Sequence, residues 1–139
     1  ACVRADGTRT WARVHPFFPT HDLTHCAVES VLGYDHAFFG LVAAGWEIDA
    51  FNAPGAASRM PTEAMCTENI VGHLERGVAS NAAEMNAALE ASMREQGAVV
   101  CARITEDQLE AIRALRARLT AQWMEVPEGG TLQVQFPAD

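Results

Sequence analysis

Two histidines and two carboxylates fall close together in His21-Asp22-Leu23-Thr24-His25 and Glu29. On a helix advancing about 100° per residue, His25 lies about 40° from His21, Glu29 about 80° and Asp22 about 100°, so all four share one side. Two imidazoles one turn apart are placed to hold a single divalent ion. Glu29 on the same side can complete a two-His, one-carboxylate set, which suits zinc and also iron(II). Asp22, between the histidines, has the chemistry of a general base that acts through a metal-bound water, although its side chain is one methylene shorter than that of Glu. The metal ligands expected are therefore His21, His25 and Glu29, the catalytic group Asp22 and the ion zinc first, with iron(II) as the alternative.

These residues need a helix to bring them together. Thr20, after Pro19, reads as an N-cap, which puts His21 and Asp22 in the first turn, where the positive helix end favours neutral imidazole. Val28 and Leu32 fall about 20° to either side of His21, so the histidines lie on or beside the buried stripe. The helix is expected over about His21 to Leu32, with Gly33 ending it. Other residues compete for the third ligand position. His15 stands just before the helix, His73 lies on a later one, and Glu47 and Asp49 are loop carboxylates. His36, about 18 Å along from His21, reads as structural. The opposing reading of the whole segment is that the histidines and acids are capping or buried polar groups with no ion.

Around that helix, Ala5-Asp6-Gly7-Thr8 is a turn signal between short strands containing Val3 and Trp11 to Val14. The prolines of His15-Pro16-Phe17-Phe18-Pro19 predict no helix before Thr20. Asp35 should cap a second, apolar helix over about His36 to Ala44. Helices follow from about Pro61 to Arg76 and from Ser80 to Gln96, either separate or as one interrupted helix. Glu47 to Phe51 alternates, Asn52 to Ser58 reads as a loop, and Ala98 to Arg103 as extended. Thr105-Glu106-Asp107-Gln108 is a capping box opening a helix to about Met124, with Leu109, Ile112, Leu115, Leu119 and Trp123 as its stripe. Thr131 to Phe136 alternates strictly and predicts a half-buried strand paired with the N-terminal hairpin. The expected fold is α+β: one mainly helical domain over residues 1–139, with a small antiparallel sheet made by the N-terminal hairpin and the C-terminal strand.

Hydrophobic residues make up 49% of the 139-residue chain and charged residues 20%, the composition of an ordinary globular protein. A net charge of −8 with scattered arginines and no lysine argues against nucleic acid. Arg113, Arg116 and Arg118 read as the solvated face of the last helix. The longest apolar run, about ten residues from Ala37 to Trp46, is too short to span a bilayer. The cysteines, Cys2, Cys26, Cys66 and Cys101, form no C-x-x-C pair, which disfavours a zinc ribbon. The chain begins at Ala1 without a signal-peptide pattern, and a reduced cytoplasmic setting is expected.

The run from His15 to His25, continuing through Ala27-Val28-Glu29 and Leu32-Gly33-Tyr34 to Gly40-Leu41 and Ala44-Gly45-Trp46, resembles a segment shared by small bacterial proteins with no assigned reaction. That likeness implies no activity. His21-Asp22-Leu23-Thr24-His25 is also similar over five residues to the H-E-x-x-H motif of zincins, with Asp in place of Glu and without the downstream gluzincin or metzincin extensions. The His-Asp pair of HD-type phosphohydrolases would need further ligands in an all-helical domain. Phosphate-binding glycine loops and nucleophile elbows are absent, and Cys26 points about 100° away from His25. The sequence therefore predicts a metal-binding protein, leaning to a metal-dependent hydrolase of a small-molecule substrate. The alternatives are a non-enzymatic helical interaction or assembly protein and an iron(II) oxygenase-like site. Self-association stays open.

Overall fold

The computed structural model describes residues 1–16 and 18–139. Cys2–Val3 (β1) and Arg9–Thr10 (β2) form a two-stranded antiparallel ribbon, with Cys2 opposite Thr10 and Val3 opposite Arg9. The helices are Phe18–Leu32 (α1), Phe38–Ala43 (α2), Ala56–Arg59 (α3), Thr62–Arg76 (α4), Ala82–Glu95 (α5) and Glu106–Met124 (α6), with a 3-10 turn over Ile48–Asn52. The fold is thus mainly helical with a small antiparallel sheet, as expected. No described helix is long and apolar enough to cross a membrane.

α1 begins at Phe18, earlier than expected, and takes in Pro19 and Thr20. Proline is tolerated in the first turn because its missing N–H would have had no intrahelical partner. Thr20 is accordingly a helical residue, whose carbonyl accepts from the Thr24 hydroxyl at 2.8 Å. The expected non-helical run also includes Phe17, which lies outside the described residues. Seven consecutive residues of α1, Leu23 to Glu29, are buried. A helix enclosed over two turns needs neighbours on several sides, and α1 packs against α2, α4 and α6.

Two groups of apolar side chains meet on α1. Val28 joins Ile70, Val71, Met85, Leu89, Leu109 and Ile112 from α4, α5 and α6. Leu23, Cys26 and Ala27 pack with Leu115 and Leu119 further along α6. The α6 stripe is as expected, with Leu109, Ile112, Leu115 and Leu119 buried, and both reciprocal bonds of the Thr105/Gln108 capping box are present. Arg113 and Arg116 do more than solvate this helix. Arg113 donates to the carbonyls of Ala79 and Ser80, and Arg116 donates to Thr24 Oγ1 at 3.0 Å, tying α6 to the α4–α5 connection and to α1.

The expected C-terminal strand does not form. Among the described residues the sheet consists of β1 and β2, and residues 131–136 run without a ladder. Their alternation has another use: Leu132, Val134 and Phe136 are half-buried against the α1–α6 group, and the Ala138 N–H donates to Ser30 Oγ at 2.8 Å. An extended segment can bury every second side chain on helices as well as on a sheet. The expected strand at Trp11 to Val14 is also absent, and Trp11 is exposed. α4 and α5 are separate helices, with Gly77 in the left-handed conformation ending α4 and the Asn81 side chain capping α5. Arg4 donates to the carbonyls of Val42 and Trp46 and pairs with Glu47 at 3.1 Å, holding the hairpin to the end of α2.

Candidate metal centre

His25 lies in the enclosed stretch of α1 and is 3% exposed. Its two ring nitrogens face carboxylates from different directions: Nε2 is 3.4 Å from Glu68 Oε1 of α4, and Nδ1 is 3.5 Å from Glu29 Oε1, one turn along α1. His21, half-buried one turn before His25, lies with its ring centroid 4.8 Å from that of His25. Its Nδ1 is 3.0 Å from Glu75 Oε1. The pairs His25/Glu68 and His21/Glu75 show that α1 and α4 run antiparallel. Glu68 and Glu75, seven residues apart, share one side of α4 because seven residues are close to two turns.

His21, His25 and Glu68 each offer a ligand atom, and these atoms lie within 4.8 Å of one another. In a tetrahedral zinc shell with bonds of about 2.0–2.1 Å, neighbouring ligand atoms stand about 3.3 Å apart. The 3.4 Å between His25 Nε2 and Glu68 Oε1 matches that edge. It is also long for an N–H···O bond, which usually measures about 2.9–3.0 Å.

Glu29 stands on the other side of the His25 ring from Glu68 and is fully buried. Its Oε2 accepts from the backbone N–H groups of Phe39 at 2.9 Å and Gly40 at 3.3 Å, so a carboxylate of α1 satisfies the start of α2. Asp35 does not cap that helix. The residue before it is Ala37, with no side-chain cap, and Glu63 Oε1 accepts from the His36 N–H at 2.6 Å. Glu29 Oε1 and His25 Nδ1 are both buried without a hydrogen-bond partner, and they face each other. A slight approach would close a bond between them.

Burial, the largest single influence, disfavours protonated His25, but the carboxylates of Glu29 and Glu68 beside its two ring nitrogens outweigh it and raise the imidazole to about 9. Desolvation raises Glu68, yet His25 beside it and the charge of His21 bring it below the ordinary carboxylate value. Burial lifts Asp22, against the opposing pull of His25 and His21. Asp22 is thus within electrostatic reach of the cluster and only partly covered. Phe38 and Phe18 flank the two rings at centroid distances of 5.9 Å from His25 and 5.8 Å from His21.

The remaining third-ligand candidates lie elsewhere. His73 Nε2 pairs with Ser92 Oγ at 3.1 Å and its Nδ1 accepts from Arg76 at 3.2 Å; burial, then the Arg76 charge, lower its pKa. His15 is exposed ahead of α1, and its carbonyl accepts from the Phe18 N–H. Glu47 is engaged by Arg4, and Asp49 lies in the 3-10 turn. A second group, Asp35, His36 and Glu63, also brings three donor atoms within 4.8 Å, but at the surface. The sequence offers His73 as the ligand candidate on α4, whereas the α4 residue that meets His25 is Glu68. The available signal was the Glu68/Glu75 pair on one side of that helix. No family model, curated protein or solved structure matches the chain.

Proposed function

We propose that this chain is a metal-binding protein whose ion is held by His21, His25 and Glu68. The observation that carries this reading is the pairing around the rings. Each histidine has Nδ1 turned to a carboxylate, Glu75 for His21 and Glu29 for His25, which leaves Nε2 as the ligand atom in both. Metal-binding histidines commonly donate their second N–H to a carboxylate, because that bond fixes the tautomer and ring direction and raises ligand basicity. Glu29 therefore orients a ligand, and Glu68 takes the ligand place expected for it. Zinc is the first choice, and two imidazoles with one carboxylate also suit iron(II).

Zinc held by these three residues would supply activation of water for hydrolysis of a small substrate. Asp22, beside His21, is the group assigned to act as general base. Phe18 and Phe38 give the site an apolar border.

A second reading has its own support. Protonated His25 between Glu29 and Glu68 makes an ion triad, buried at His25 and Glu29 and open to solvent at Glu68, that needs no metal, as in a helical interaction or assembly protein. Elemental analysis of untagged protein separates the two, with the His21→Ala/His25→Ala double variant alongside. About one zinc or iron per chain in the parent and none in the variant supports the metal reading. A parent that takes up no ion on reconstitution overturns it and leaves the ion triad.

A further inference from the structure

We propose that Cys66 and Cys101 form a reversible disulfide that ties α4 to the segment between α5 and α6. The two thiols are far apart in sequence, yet their sulfurs lie 2.9 Å apart. Carbon atoms in packing contact rest about 3.5–4.0 Å apart, so these sulfurs are closer than packing alone explains, and the Cys66 thiol donates to Cys101 Sγ. A disulfide bond of about 2.05 Å requires less than an ångström of further approach. The Cys101 N–H also donates to Cys66 Sγ at 3.2 Å, so backbone and side chain of Cys101 both converge on Cys66.

The surroundings fix this meeting. Cys66 is fully buried within α4, among the side chains shared with α1, α5 and α6. Cys101 lies in an irregular connection held on both sides. Before it, the Ala98 N–H donates to the Met93 carbonyl at 2.9 Å. After it, Ile104 exchanges two 2.8 Å bonds with the buried amide of Asn86. A tethered segment presents Cys101 to Cys66 at little further entropic cost. Cys101 is exposed, so a reagent in solution can reach it while Cys66 is shielded.

The reaction takes its oxidant from a low-molecular-weight disulfide such as oxidised glutathione. Cys101 thiolate attacks one sulfur of that disulfide and releases one thiolate, leaving a mixed disulfide on Cys101. Cys66 Sγ, deprotonated, then attacks Cys101 Sγ and releases the second thiolate. Two protein thiols are oxidised to one disulfide, one small disulfide is reduced to two thiols, and the two protons lost by the cysteines end on the released thiolates or in solvent.

This proposal is independent of the metal site, and its test needs no metal. The full-length protein is equilibrated in glutathione buffers of increasing oxidised fraction, quenched with acid, denatured and titrated for thiols, and its peptides are mapped by mass. The expected result is loss of two of the four thiols, with Cys66 and Cys101 in one linked peptide that separates on reduction. The oxidised form should melt roughly 10 °C higher, since the bond closes a loop of more than thirty residues. Cys101→Ser, a change at an exposed position, should keep all three remaining thiols free of any internal link. Retention of four thiols at the most oxidising ratio overturns the proposal. So does a linked peptide containing Cys2 or Cys26, or a Cys101 mixed disulfide that never passes to Cys66.

Discussion

The meaning of the carboxylates around His25 rests on which nitrogen each one faces. Glu68 meets Nε2 and Glu29 meets Nδ1, so their substitutions should act differently. Glu68→Ala removes a proposed ligand and should weaken zinc binding more than 100-fold, whereas Glu75→Gln, which changes only the partner of His21 Nδ1, should weaken it about 10-fold. Competition against a chromophoric chelator reads both, and equal affinities for Glu68→Ala and parent would count against the assignment. pH supplies a second test on metal-free protein. Protonated His25 is favoured in the fold up to about pH 9, against about 6.5 in the unfolded chain. Its contribution is therefore complete below pH 6.5 and lost as pH rises from there through 9. The urea midpoint of chelator-treated protein should fall over that window, and His25→Gln should remove that part of the fall. Of these residues, the sequence made His21, His25, Asp22 and Glu29 legible as one side of a helix. It left Glu68 and Glu75 as ordinary acids of another helix.

Among elements, the short α2 depends directly on a residue of the centre. No side chain of its own start caps it, and Glu29 accepts from its Phe39 and Gly40 N–H groups. At the same place Gly40 passes very close to the backbone of Asp35. A Cβ at Gly40 would fall 2.2 Å from the Asp35 carbonyl oxygen. Backbone cannot swing aside as a flexible side chain does. Gly40→Ala should therefore cost about 3 kcal/mol in urea denaturation, and by disturbing Glu29 it should also weaken metal binding. A variant as stable as the parent would show that α2 can shift freely. The boundaries of α6 were legible because caps and apolar period are local: the helix follows its capping box at Thr105 and its stripe. The strand expected at 131–136 was not, because alternation records which side chains are covered and not what covers them.

For the whole molecule, α1 is enclosed by α2, α4 and α6, and the proposed ion would join α1 to α4. Binding to the native state alone adds RT ln(1 + [L]/Kd), about 2.7 kcal/mol at a hundredfold excess over Kd. Zinc should therefore raise the melting temperature of the parent by roughly 5–10 °C and leave His21→Ala/His25→Ala unmoved. Calorimetry with and without chelator checks this, and an equal rise in both proteins would point to binding elsewhere. The order of amino acids by itself determined what depends on neighbours along the chain: a helix bearing His21 and His25 one turn apart, the cap and stripe of α6, and a mainly helical composition of elements. Only tertiary structure decided that Glu68 meets His25, that Glu29 turns to α2, that Cys66 meets Cys101, and that the C-terminal segment lies on helices. Helical period fixes which side of an element a residue occupies, but the partner across the gap depends on how elements pack, and packing is settled by the whole set of buried surfaces at once.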